Sequence, residues 1–134
     1  MAGVLVNQGE TIMLEAFVNK TAPQTLVLKL FKNNYTPLEG DTEAAYTEAD
    51  FTGYASASLT PASWSVIAGA PSEATYPEVS FTSSAAQAAQ AIYGYFVIQT
   101  TSGKLVAAER FTNGPYTIQN NGDVIKVTPK ITQD

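Results

Sequence analysis

Five carboxylates crowd one stretch of this chain: Glu39, Asp41, Glu43, Glu48 and Asp50 all lie in Leu38–Phe51, LEGDTEAAYTEADF, which holds no basic residue. Two carboxylates suffice for glycoside hydrolysis, one as acid and the other as base or nucleophile. Such a pair must be held on rigid supports and partly desolvated. This stretch reads as a surface loop, with one helical turn possible from Thr47, where Thr47 and Asp50 have the spacing of an N-capping box in its weaker Asp form. A solvated acidic loop is therefore the expectation. Asp41 and Glu43, two residues apart, could offer hard oxygen ligands to calcium. The segment lacks the spacing and terminal Glu of an EF-hand loop, so no metal is expected.

The chain contains no His and no Cys. That removes the commonest general base, every Ser-His-Asp or Cys-His arrangement within the chain, and all disulfides. Neither GxGxxG nor GxxxxGK[ST] occurs, so no glycine-rich phosphate loop is present. Glu109 and Arg110 are adjacent on a strand and point to opposite faces; Glu109 is expected to be partly buried in a structural ion pair. Tyr93, Tyr95, Tyr116 and Trp64 could form an aromatic platform for sugar. Aromatics at period two are first of all core or cross-strand pairs, and that reading takes most of the four, leaving one exposed pair.

These residues depend on the elements that carry them. Ala91–Phe111, AIYGYFVIQTTSGKLVAAERF, alternates along both arms and reads as a long β-hairpin turning at Thr101–Lys104, where Gly103 can supply the positive φ of a tight turn. Both faces are apolar. One should fill a core; the other, carrying Tyr93 and Tyr95 or Ile92 and Phe96, should pack under a helix or a neighbouring subunit. That helix is expected over Glu10–Asn19, where Ile12/Ala16, Met13/Phe17 and Leu14/Val18 are four apart and Pro23 blocks continuation. It is apolar around most of its circumference, which predicts an internal position. Val4-Leu5-Val6 before it is an edge strand or a flexible arm.

Further strands are expected at Gln24–Lys32, Gly53–Leu59, Ala62–Ile67, Ala74–Phe81 with a kink near Pro77, Tyr116–Gln119, and Val124–Ile131 interrupted by Pro129. Asn120-Asn121-Gly122-Asp123 carries the Asn-Gly pair of a type I′ hairpin. About eight strands with one short N-terminal helix give an all-β fold, a two-sheet β-sandwich or jelly roll. The chain is expected to be one domain over residues 1–134, with residues 1–9 as its arm.

Charged residues make up 14% of the 134 positions, well below the ~25% usual for globular domains, while hydrophobic residues make up 45%. A surface so short of charge suits a protein that lives against other protein surfaces. The net charge is −5 and the cations are scattered singly, so nucleic acid is not an expected partner. The first residues lack the features of a secretory signal and no apolar run approaches the ~18 residues of a membrane span. Synthesis and folding in a cytoplasm are expected.

Taken in order, the phrases GETIMLEAFVNK, TLVLKLFKNNYTP, YTEADFTGYA, ASW, IYGYFV, AERF and GPYTIQNNGDVIKVTPKI resemble a family of small virion proteins of tailed bacteriophages. The resemblance covers nearly the whole chain and includes no catalytic motif. It implies a capsid cement (decoration) protein with a jelly-roll-like fold, sitting as a homo-oligomer on the outside of a phage head and holding capsomers together. It further implies the major capsid protein as partner, a virion location, no catalysis and no cofactor. Val4, Leu5 and Val6 of the Met1–Val6 arm, with Glu39, Asp41 and Glu43 of the acidic loop, are expected to contact the capsid or neighbouring copies. The alternative is a carbohydrate-binding or tail-associated adhesin module.

Overall fold

The computed structural model describes residues 3–133. Among them lie one α-helix and twelve short strands, every pair antiparallel. In chain order these are β1 (Val4–Leu5), α1 (Asn7–Phe17), β2 (Leu26–Phe31), β3 (Ala57–Leu59), β4 (Ser65–Ile67) and β5 (Ser72–Thr75). There follow β6 (Val79–Thr82), β7 (Gln90–Ile92), β8 (Gly94–Gln99), β9 (Leu105–Arg110), β10 (Tyr116–Ile118), β11 (Val124–Val127) and β12 (Lys130–Gln133). They form a five-stranded sheet in the order β1-β9-β8-β2-β3, a three-stranded sheet β12-β5-β4, and the pairs β10-β7 and β11-β6. The fold is β-rich, as the alternation predicts, with more and shorter strands than the sequence suggests.

The expected hairpin is the centre of the molecule. β8 is buried along its whole length, flanked by β2 and β9 and with apolar clusters on both faces. Gly103, at φ +69°, closes the turn, and the Gln99 N–H donates to the Lys104 carbonyl at 3.0 Å. The hairpin is shorter than its alternation: Gln90–Ile92 turns away at Tyr93 to pair with β10. Gly94 lies at that change of direction, where a Cβ would run into the Glu109 carbonyl and the Phe31 ring; only glycine lets the backbones come so close. A register shift at Val97/Ile98 leaves Val106 as an extra residue on β9, a β-bulge. Val106 and Ala107, though adjacent, consequently serve the same cluster while Leu105 serves the other, which strict alternation along β9 does not foresee.

The larger cluster includes Leu28, Leu30, Leu59, Phe81, Ile92, Tyr95, Val97, Ile118, Ile125 and Val127, drawn from strands of three of the four sheets, and Phe51 from the end of the acidic segment. The smaller contains Val6, Phe31, Tyr46, Phe96, Ile98, Leu105 and Ala108. Each fully buried Val, Leu, Ile or Phe in these clusters contributes roughly 1.5–3 kcal/mol. The second hairpin face, expected to lie under α1 or a neighbouring subunit, is covered from within the chain by another segment. Tyr46, from the acidic segment, covers it: its ring stacks on Phe96 at 5.1 Å and meets Phe31 edge-on at 5.1 Å.

The helix departs from expectation in extent and in burial. It starts at Asn7 rather than Glu10 and ends at Phe17, and Asn19 adopts a left-handed φ of 59°, which asparagine tolerates better than most residues. α1 lies against β9 and sends Ile12 to the larger cluster. Leu14, Phe17 and Val18 remain 64%, 85% and 64% exposed, so the helix is not internal.

The prolines behave as foreseen. Pro77 divides the expected strand into β5 and β6, and Pro129 divides the last one into β11 and β12. The two breaks face each other: β6 pairs with β11 on one side and β5 with β12 on the other, with the Tyr76 N–H bonded to the Pro129 carbonyl at 3.0 Å between them. One long ribbon is thus bent into two. The Asn-Gly turn is not a β-hairpin, because the strands it joins, β10 and β11, pair with β7 and β6 instead. Likewise Thr60-Pro61 leads from β3, which pairs with β2, to β4, which pairs with β5.

Candidate interaction surfaces

The acidic segment is an ordered cover rather than a loose loop. The Thr47 carbonyl accepts from the Lys32 N–H at 2.8 Å and the Ala49 N–H donates to the Leu30 carbonyl at 2.9 Å, so the segment runs back along the end of β2. Its short helical turn is a 3-10 turn at Glu43–Ala45, not one starting at Thr47. The Thr47 N–H is bound by the Asn33 side chain at 2.8 Å, so no capping box forms there.

Asp41 anchors the cover. It accepts hydrogen bonds from the Tyr35 hydroxyl at 2.8 Å, the Leu38 N–H at 2.8 Å and the Tyr46 hydroxyl at 2.7 Å. Partial burial alone would raise its pKa, but these donors outweigh that effect and hold the carboxyl below the usual range. Burial, reinforced by the Asp41 charge, pushes the Tyr46 hydroxyl far upward, so it stays a donor.

The cations that answer the acids come from β2 and the residue just past its end. Lys29 Nζ lies 3.0 Å from Glu43 and 3.3 Å from Glu48, 5.9 Å from the centre of the Phe96 ring. Burial disfavours its charge, yet the two carboxylates prevail and raise its pKa. The Tyr54 hydroxyl donates to Glu48 at 2.9 Å and accepts from the Leu30 N–H at 3.1 Å. Lys32 meets Asp50 at 2.7 Å, and Gln90 bonds both the side chain and the N–H of Asp50. A sequence signal for this existed: Lys29 is a lone cation in the apolar run LVLKLF, and a half-buried cation needs a counter-charge.

Of the six residues expected at an interface, the structure unites three. Val4 and Leu5 pair with Ala108 and Ala107 as the edge strand β1. With Glu39, Glu10 and Leu14 they line a shallow groove of about 520 Å³. The Glu39 carbonyl accepts from the Asn7 N–H at 2.9 Å, tying the loop to the helix start, while its side chain has no polar partner among the described residues. Val6 does not belong to this surface: it is 0% exposed in the smaller cluster. Asp41 and Glu43 are also withdrawn, one into the tyrosine contacts and the other to Lys29. Residues 1 and 2 of the expected arm lie outside the described residues.

The exposed apolar side chains were not foreseen as a set. Besides Leu14, Phe17 and Val18, they include Leu38, Val66, Ile67, Tyr116 and Val124. Beside the helix, Ile12, Met13, Ala16, Pro23 and Leu26 line a cleft of about 290 Å³ with Lys104 at its edge. The four aromatic residues considered for sugar binding do not share one face. Tyr95 is buried, Tyr93 stacks under Arg110 at 5.1 Å, Trp64 meets Tyr76 edge-on, and Tyr116 packs against Phe111 while 43% exposed.

Glu109 is bonded by the Tyr95 hydroxyl at 2.9 Å, and Arg110 donates to the Tyr35 carbonyl at 2.9 Å. The expected ion pair is thus a hydroxyl–carboxylate bond. Among the described residues, no group of three or more Asp and Glu side chains could hold a metal ion, and no helix is long and apolar enough to cross a membrane.

No family model matches the chain, and no curated protein matches it.

Proposed function

We propose that this chain is a structural protein of a phage virion, a capsid cement protein whose four antiparallel sheets make up a two-sheet sandwich of the jelly-roll kind. In this reading it acts as a homo-oligomer on the outside of the head, binds the major capsid protein and carries out no catalysis. The observation that carries the proposal is how the polar and apolar groups are placed. Asp41, Glu43, Glu48 and Asp50 are bound to tyrosines, lysines and backbone, whereas Leu14, Phe17, Val18, Val66 and Ile67 face outward. Protein interfaces favour apolar and aromatic side chains and exclude charge from their centres. The groove of Val4, Leu5, Glu39 and Leu14, with Phe17 farther along the helix, is the surface offered to the capsid. The test is to titrate purified protein onto expanded capsids. Saturable binding at a fixed ratio to capsomers supports the proposal; no binding overturns it.

Tyr116 favours a second reading, a carbohydrate-binding or tail-associated adhesin module. It lines, with Phe111, Asp123 and Lys126, an open groove of about 350 Å³, and a half-exposed ring beside polar groups suits a sugar face. Retention of specific glycans on an array, lost in Tyr116→Ala, would decide for it.

A further inference from the structure

β4 is the free edge of the β12-β5-β4 sheet. All three of its residues are exposed, Val66 by 76% and Ile67 by 60%, and since neighbouring residues point to opposite faces, it is apolar on both sides. Among the described residues, no backbone hydrogen bond is made along its outer edge. Folded proteins usually blunt such edges with lysine, proline, a bulge or a covering loop. β4 itself has none of these.

Charge selects the occupant. Residues 51–72 contain no charged side chain, so β4 and both its flanks are neutral. The nearest acid in sequence beyond it, Glu73, lies on β5 and is neutralised by Lys130 at 3.0 Å. Two copies of a chain with net charge −5 repel each other generally. A neutral edge removes that repulsion where they touch. The β1 edge is different, since its groove carries Glu10 and Glu39.

We propose that β4 pairs antiparallel with β4 of a second copy across a two-fold axis through Val66, joining the two three-stranded sheets into one. This register faces Val66 with its own counterpart and Ser65 with Ile67, and it is the one in which all three residues of the strand are paired. A two-fold contact of this kind closes on itself and leaves no β4 edge free for a third copy. The seam is short, so the free dimer is weak and forms with rising concentration, while attachment of both copies to one capsid would strengthen it by proximity. The proposal rests on the assembly reading only for that last step.

The experiment is sedimentation equilibrium of the full chain over a wide concentration range, for the wild type, Val66→Lys and Val66→Cys. Wild type should show a monomer–dimer equilibrium, and Val66→Lys, which sets two like charges face to face, should raise the dissociation constant at least tenfold with an unchanged circular dichroism spectrum. Because the chain has no cysteine, Val66→Cys should cross-link to dimer under mild oxidation, whereas Val124→Cys, also exposed but on β11, should not. A wild type that stays monomeric, or a Val66→Lys dimer of undiminished affinity, would overturn the seam. Monomeric wild type whose capsid binding is abolished by Val66→Lys would assign the edge to a capsid strand instead of a second copy. Dimerisation without any capsid binding would leave the seam standing and remove the cement reading.

Discussion

Replacing Asp41 with alanine tests whether the acidic segment is a structural cover. The substitution removes an acceptor shared by Tyr35, Leu38 and Tyr46. A hydrogen bond to a charged group contributes about 1.5–3 kcal/mol. The Leu38 N–H is exposed and the Tyr35 side chain half-exposed, so both can turn to water and keep part of their value. The Tyr46 hydroxyl, on a residue only 7% exposed, cannot. The expected loss is about 2–3 kcal/mol, which for a chain of this length lowers Tm by roughly 6–15 °C.

The same carboxyl fixes a pH dependence. Its pKa in the folded protein lies below the ordinary value, about 3.9 in an unfolded chain. A depressed carboxylate stabilises the fold fully above the unfolded pKa, and the contribution disappears as pH falls from about 4 through the folded value. The difference between wild type and Asp41→Ala should therefore be large at pH 7 and narrow steadily below pH 4. Asp50 and Asp123, also held low, titrate in both proteins and cancel. Urea unfolding, followed by Trp64 fluorescence and circular dichroism at both pH values, measures the difference. Tyr46→Phe keeps the ring on Phe96 and should couple to Asp41→Ala by about 0.5–3 kcal/mol in a double-mutant cycle. A loss under about 0.5 kcal/mol at neutral pH, the range of ordinary surface substitutions, or a gap that persists undiminished in acid, would refute the reasoning.

Phe17→Asp, at a position 85% exposed, should change stability by less than about 0.5 kcal/mol yet weaken capsid binding at least tenfold; a pull-down with expanded capsids checks it. Val6→Ala should cost about 1–3 kcal/mol in urea unfolding, because the side chain is fully enclosed between β9 and the acidic cover. Removing residues 1–6 should accordingly destabilise the fold itself, so a thermal melt of the truncated chain must accompany any measurement of its capsid binding.

Local signals were legible in the sequence where they determine local structure. The hairpin of β8 and β9 was readable because its strands are neighbours in the chain and Gly103 sets the turn. The breaks at Pro77 and Pro129 were readable because a missing N–H interrupts a ladder wherever it occurs. The pairings of β7 with β10 and β6 with β11 were not, since each joins residues far apart in the chain. The Asn-Gly turn misled for the same reason: it describes how the chain reverses, not which strand it then meets. Glu43 and Glu48 looked solvated because their partner, Lys29, lies on β2 and is brought to them by folding. Val6 looked like a free arm because nothing nearby in sequence shows that Phe31, Phe96 and Leu105 enclose it.

The bend at Pro77 and Pro129 divides the molecule in time as well as in space. On one side, β6 and β11 bury Phe81, Ile125 and Val127 in the larger cluster. On the other, β12, β5 and β4 contain no fully buried residue. Amide exchange follows local opening, which is cheap where little apolar surface is enclosed. The β4 amides and those of the outer ribbon should exchange orders of magnitude faster than those of β8. An edge strand that opens and recloses on that timescale can seek a partner while the core beneath it stays shut.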